Sequence, residues 1–110
     1  MELINDINQL KQEVRANQIC LLYIQAPDCG LCSIMLNKIE KVVGSFDNVR
    51  SVRAEIHVVP EIAGSFLVAS APTVLLFVNG KEIYRAGNFI DTVELNQTIA
   101  KWSEILNCQP

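Results

Sequence analysis

The sequence predicts an α/β fold in which a central mixed sheet of four to five strands carries helices on both faces. Three observations predict it. Short apolar runs alternate with stretches of helical spacing along most of the chain, the pattern of successive βα units. The run Ile19-Cys20-Leu21-Leu22-Tyr23-Ile24 is apolar on both parities, so the strand it forms needs cover above and below. Near the end, two strand-like runs flank Asn79-Gly80, a two-residue hairpin signal, so the alternation closes on an antiparallel pair.

The elements follow in order. Met1–Ile4 reads as a short strand. Asn5 or Asp6 then caps a helix reaching about Ala16, whose Ile7, Leu10 and Val14 share one face. After the apolar strand, Pro27 and Gly30 interrupt the chain. A second helical pattern runs from about Gly30 to Val43, with Met35, Ile39 and Val42 inside, Lys38 and Lys41 outside, and Gly44 near its end. Val49–Ile56 alternates only roughly and reads as a strand. Val58–Ala69 reads as a short helix with Pro60 in its first turn. Thr73–Val78 is the clearest strand, Lys81–Ala86 returns beside it, and Gly87 ends it. The last helix, about Asp91–Leu106, aligns Leu95, Ile99, Trp102 and Leu106 on one face. The order is (β)αβαβαββα.

Composition narrows the function classes. With 110 residues the chain reads as one domain, residues 1–110. Half of the residues are hydrophobic and 19% are charged, which excludes a disordered chain. Mean hydropathy is +0.25, yet the longest apolar run, Ile19–Ile24, has six residues, far below the roughly 20 of a membrane span. A net charge of −3 lacks the basic footprint of a nucleic-acid binder. Met1-Glu2-Leu3-Ile4-Asn5-Asp6 has neither a positive nor a long apolar segment, so the expected compartment is the cytoplasm.

The chemistry concentrates in Ala26-Pro27-Asp28-Cys29-Gly30-Leu31-Cys32, between a buried strand and a helix start. Unpaired N–H groups and the helix dipole stabilise an anion there, so the first thiol can ionise and attack a disulfide. Asp28 beside it works against ionisation. Cys32, one turn on, stands about 5–6 Å from Cys29 by helix geometry, close enough to pair without backbone movement. Cys29 then reads as the exposed nucleophile, Cys32 as the more buried resolving thiol. Gly30 keeps bulk away from an approaching substrate disulfide.

A bare Cys-x-x-Cys also occurs in zinc sites, but Cys20, Cys108 and His57 form no second ligand pair. No metal and no organic cofactor is implied. Cys20 reads as a buried structural thiol, Cys108 as an exposed thiol on the tail, and His57 as a solvated loop residue. Trp102 and Tyr23 read as core.

On these residues the sequence resembles the thioredoxin family over nearly its whole length. The family's Trp-Cys-Gly-Pro-Cys stretch corresponds to Asp28-Cys29-Gly30-Leu31-Cys32. Its Ile-Pro-Thr, preceding an apolar strand and an Asn-Gly turn, corresponds to Ala71-Pro72-Thr73 followed by Val74–Val78 and Asn79-Gly80, and its later Gly to Gly87. The resemblance implies a thioredoxin fold with a cis Ala71–Pro72 peptide beside the cysteines. It also implies that Gly30, Leu31, Ala71, Pro72 and Gly87 form the substrate surface, Ala71 pairing with an extended peptide like an added strand.

Departures from the family are equally specific. Leu31 replaces the Pro between the cysteines and should make the disulfide more oxidising. Asp28 and Gln25 replace two Trp residues. Tyr23 stands where the family has a buried Asp that accepts a proton from the second thiol, and a Tyr with an ordinary pKa near 10 is a poor base. Arg53, near the family's partly buried Lys, lacks that Asp and is expected to carry its charge outward.

The expected function is thiol–disulfide exchange. The expected partners are a disulfide-containing protein or a low-molecular-weight disulfide, with a disulfide reductase for recycling. The alternative is a protein-binding or redox-sensing module of this fold with weak or no turnover, motivated by Tyr23, Asp28 and Leu31.

Overall fold

In the computed structural model, which describes residues 1–108, the elements are β1 (Glu2–Leu3), α1 (Ile7–Ala16), β2 (Ile19–Gln25), α2 (Gly30–Val43), β3 (Arg50–Glu55), α3 (Ile62–Phe66), β4 (Thr73–Val78), β5 (Lys81–Gly87) and α4 (Thr92–Asn107). They follow the order that the sequence predicts. One sheet has the strand order β1-β3-β2-β4-β5. β3 runs parallel to β1 and β2, while β4 runs antiparallel to β2 and β5.

β2 is flanked by β3 and β4 and buried from Ile19 to Ile24, which is why it is apolar on both parities. Its even residues Cys20, Leu22 and Ile24 pack with Leu10, Val14 and Ile62 of α1 and α3. Its odd residues Ile19, Leu21 and Tyr23 pack with Met35, Ile39, Leu95 and Ile99 of α2 and α4. The strand's two-residue period thus divides the core into two apolar layers, one on each face of the sheet.

Local chemistry sets the element ends. The Asp6 carboxylate accepts the Gln9 amide at 3.0 Å and caps α1. Asp91 accepts the Val93 and Glu94 amides at the start of α4. Asn79 and Gly80 both take positive φ (51° and 80°), the requirement of a two-residue turn between β4 and β5. A bulge at Leu76/Phe77 shifts the hairpin's register.

Two expectations need correction. The segment after β3 is helical only from Ile62 to Phe66. Pro60 lies in a turn ahead of that helix, and Leu67 ends it with φ +56°. β3 also stops one residue short of the expected strand at each end. Trp102 is half-buried against the α2/α4 layer. Cys108 is exposed as expected, but it caps α4, its amide donating to the Glu104 carbonyl at 3.2 Å.

Candidate functional site

β2 leaves the sheet at Gln25, and Ala26–Asp28 turns the chain into α2. Asp28 makes this turn in the left-handed region, at φ +54°. Asp tolerates that region better than most residues because its short side chain can bond locally. Cys29 then caps α2 with sulfur, its Sγ accepting the Cys32 amide at 3.1 Å. The two cysteines are joined as a disulfide with their Cα atoms 5.2 Å apart, inside the range expected from helix spacing. Cys29 is half-buried, whereas Cys32 is 5% exposed. A Cβ at Gly30 would stand in open space, so nothing in the fold crowds the approach there. Leu31 is half-buried, packing partly against the border of the α2/α4 layer.

Antiparallel register brings a second segment to this end of the sheet. Ile24, near the end of β2, pairs with Thr73 at the start of β4. The preceding Ala71–Pro72 bond is cis. Pro72 is buried, and its carbonyl accepts the Asn88 amide at 3.0 Å. Gly87 pairs with Thr73, and a Cβ on it would meet the Pro72 oxygen at 3.4 Å. Ala71, Pro72 and Gly87 therefore adjoin one another, while the cavity beside the disulfide is lined by none of them.

Tyr23 does more than fill volume. It is fully buried, and its hydroxyl donates to the Cys32 carbonyl at 2.7 Å, tying the central strand to the first turn of α2. Burial pushes its pKa up to about 12, so it remains a proton-bearing donor at neutral pH. A phenol in that state cannot take a proton from Cys32.

Arg53 departs from its outward expectation. It is half-buried, its Nε donates to the Met1 carbonyl at 2.9 Å, and its Nη1 reaches Gln25 Oε1 at 3.4 Å. Two neutral oxygens hold the guanidinium in place. With Gln25, Cys29, Gly30, Cys32 and Leu36 it lines a cavity of about 440 Å³ beside the disulfide. Sequence reasoning missed both arrangements, although the β2/β3 register places Tyr23 directly opposite Arg53.

The other cysteine of β2 is inert by position. Cys20 is fully buried, and desolvation pushes its pKa up to about 12. His57 is exposed in a turn.

The thioredoxin family model matches residues 3–101. The chain belongs to the thioredoxin family. It is 26% identical to the thioredoxin-like protein YdfQ of Bacillus subtilis over 98 residues, covering 89% of this chain and 88% of the relative. A thioredoxin of Chlamydia trachomatis is 29% identical over 86 residues, covering 78% of this chain and 84% of that one. The fold is similar to oxidised mitochondrial thioredoxin 3 of Saccharomyces cerevisiae, with a TM-score of 0.80 at 21% identity over 92% of this chain and 94% of that chain. A family member whose paired cysteines bridge the first turn of α2 is a thiol–disulfide oxidoreductase.

Proposed function

We propose that Cys29 is the attacking thiol and Cys32 the resolving one. The observation that carries this assignment is their asymmetry: Cys29 is half-exposed and accepts a backbone N–H, while Cys32 is enclosed one turn inward. In the reduced protein the Cys29 thiolate attacks one sulfur of a substrate disulfide. A mixed disulfide forms, and the other substrate sulfur leaves as a thiolate that takes up a proton. Cys32, deprotonated, then attacks the Cys29 sulfur, releases the second substrate thiolate and closes the disulfide. Two electrons have passed to the substrate, and a disulfide reductase returns them.

Among the described residues no buried carboxylate can take the Cys32 proton, and Tyr23 is a donor already committed to the Cys32 carbonyl. Solvent in the adjoining cavity is the acceptor in this reading. The substrate surface comprises Gly30, Leu31, Ala71, Pro72 and Gly87, with the Ala71 backbone pairing with an extended peptide. The site's place at an open end of the sheet supports this. Substrates are disulfide-containing proteins or small disulfides, and the working compartment is the cytoplasm. Among the described residues no helix is long and apolar enough to cross a membrane.

A disulfide-reduction assay under dithiothreitol tests the assignment. Cys29→Ser should abolish turnover, and Cys32→Ser, reduced, freed of dithiothreitol and then mixed with substrate, should accumulate a mixed disulfide through Cys29. Equal activity in wild type and Cys29→Ser overturns it.

A further inference from the structure

Several charges on this molecule are neutralised by a neighbour of opposite sign. Arg50 pairs with Glu2 at 2.7 Å and Glu13 at 3.0 Å, and Arg85 pairs with Glu82 at 2.9 Å. Arg53, which lies beside the cysteines, has no such partner among the described residues. Its contacts are the Met1 carbonyl and the Gln25 amide oxygen, and among the described residues no carboxylate pairs with it. Asp28, which lines the same cavity, forms no ion pair with it either.

A half-buried guanidinium without a counter-charge is costly unless something supplies one. Nε and Nη1 are occupied, which fixes the plane of the group, while Nη2 makes no hydrogen bond among the described residues. The cavity it lines contains both cysteines and, at about 440 Å³, falls within the range of small-ligand sites. A carboxylate is the natural partner for a fixed guanidinium edge.

Building on the exchange reaction proposed above, we propose that Arg53 binds the carboxylate of a small disulfide substrate and so selects carboxylate-bearing low-molecular-weight disulfides over neutral ones. The chemistry is unchanged. The protein dithiol becomes the Cys29–Cys32 disulfide, and the substrate R–S–S–R leaves as two thiols. Arg53 contributes by holding R while a substrate sulfur faces Cys29.

The test uses protein reduced with dithiothreitol, desalted and mixed with either dithiodipropionate or the neutral bis(2-hydroxyethyl) disulfide. The second-order rate of thiol release is followed for each. The quantity of interest is the ratio of the two rates, which cancels differences in protein stability and in thiol reactivity. Arg53→Gln should lower that ratio about tenfold, and Arg53→Lys should lower it less. In the wild type the ratio should also fall as salt is raised, a readout that needs no variant. A ratio unchanged by Arg53→Gln, or by salt, overturns the proposal. So does an equal loss by Arg53→Gln toward a neutral protein disulfide, which would mark Arg53 as a structural anchor. If the reduced wild type reacts with neither small disulfide nor protein disulfide, the underlying exchange reading fails instead.

Discussion

The two layers of the core are built on the same strand, yet they treat sulfur in opposite ways. On the α1/α3 side, Cys20 sits among Leu10, Leu22, Val52 and Leu75, with its pKa pushed up to about 12. Beside the α2/α4 layer, Cys29 and Cys32 open the first turn of α2, where a backbone amide points at sulfur and a cavity reaches it. Cys29 lies nine positions after Cys20. The lesson concerns reactivity: it comes from what surrounds a thiol, with burial in hydrocarbon suppressing the thiolate and a helix start exposing it.

Thiol accounting offers the sharpest way to break this comparison. At pH 8, raising a thiol's pKa from 9 to about 12 leaves roughly a thousandth of the thiolate of an ordinary cysteine. Native oxidised protein should therefore show one fast thiol toward Ellman's reagent, Cys108, and reveal Cys20 only after denaturation. Fast reaction of a Cys20-only variant, made by Cys108→Ser, would erase the distinction between the layers.

Packing should not distinguish them. Leu22→Ala on one side and Ile39→Ala on the other each remove a fully buried side chain, and each should cost about 2–5 kcal/mol in urea unfolding. A much smaller cost on either side would show that layer to be loosely packed.

Tyr23→Phe is the finer probe, since it deletes one hydrogen bond and preserves the shape. It should cost about 1 kcal/mol of stability. The redox potential of the Cys29–Cys32 pair should shift with it, while Cys20→Ala should leave that potential in place. Equal shifts would mean that the layers communicate.

The smallest effect belongs to surface charge. The Arg50 hydrogen bond holds the Glu13 carboxyl below its ordinary range, so the unfolded chain binds its proton more readily than the folded one. Its contribution is present above about pH 4.3 and is lost as pH falls through the lower folded value. Glu13→Gln should remove less than about 1 kcal/mol at pH 7 and flatten this part of the acid transition.

The fold was legible in the sequence because its signals were local. Both parities of Ile19–Ile24 announced a strand covered twice, and Asn79-Gly80 announced the hairpin. α3 was overextended because Pro60 and Ala69 read as its two ends, whereas Pro60 lies in a turn and Leu67, in the left-handed region, stops the helix before the exposed Ala69. Around the disulfide, Cys29 and Cys32 were legible from spacing alone. The Tyr23 bond to the Cys32 carbonyl and the Arg53 contacts were not, because they join residues 9 and 52 positions apart whose meeting depends on how helix and strands pack.

The strand order has a last consequence, for solubility. One border of the sheet is β1, two residues long; the other is β5, which turns Lys81, Glu82 and Arg85 to solvent and carries the bulge. A neighbouring molecule that tried to extend the sheet would find too few free amides on one side and fixed charges on a kinked ladder on the other. A chain that is half hydrophobic is thereby guarded against stacking into fibres at the two borders where a sheet is most vulnerable.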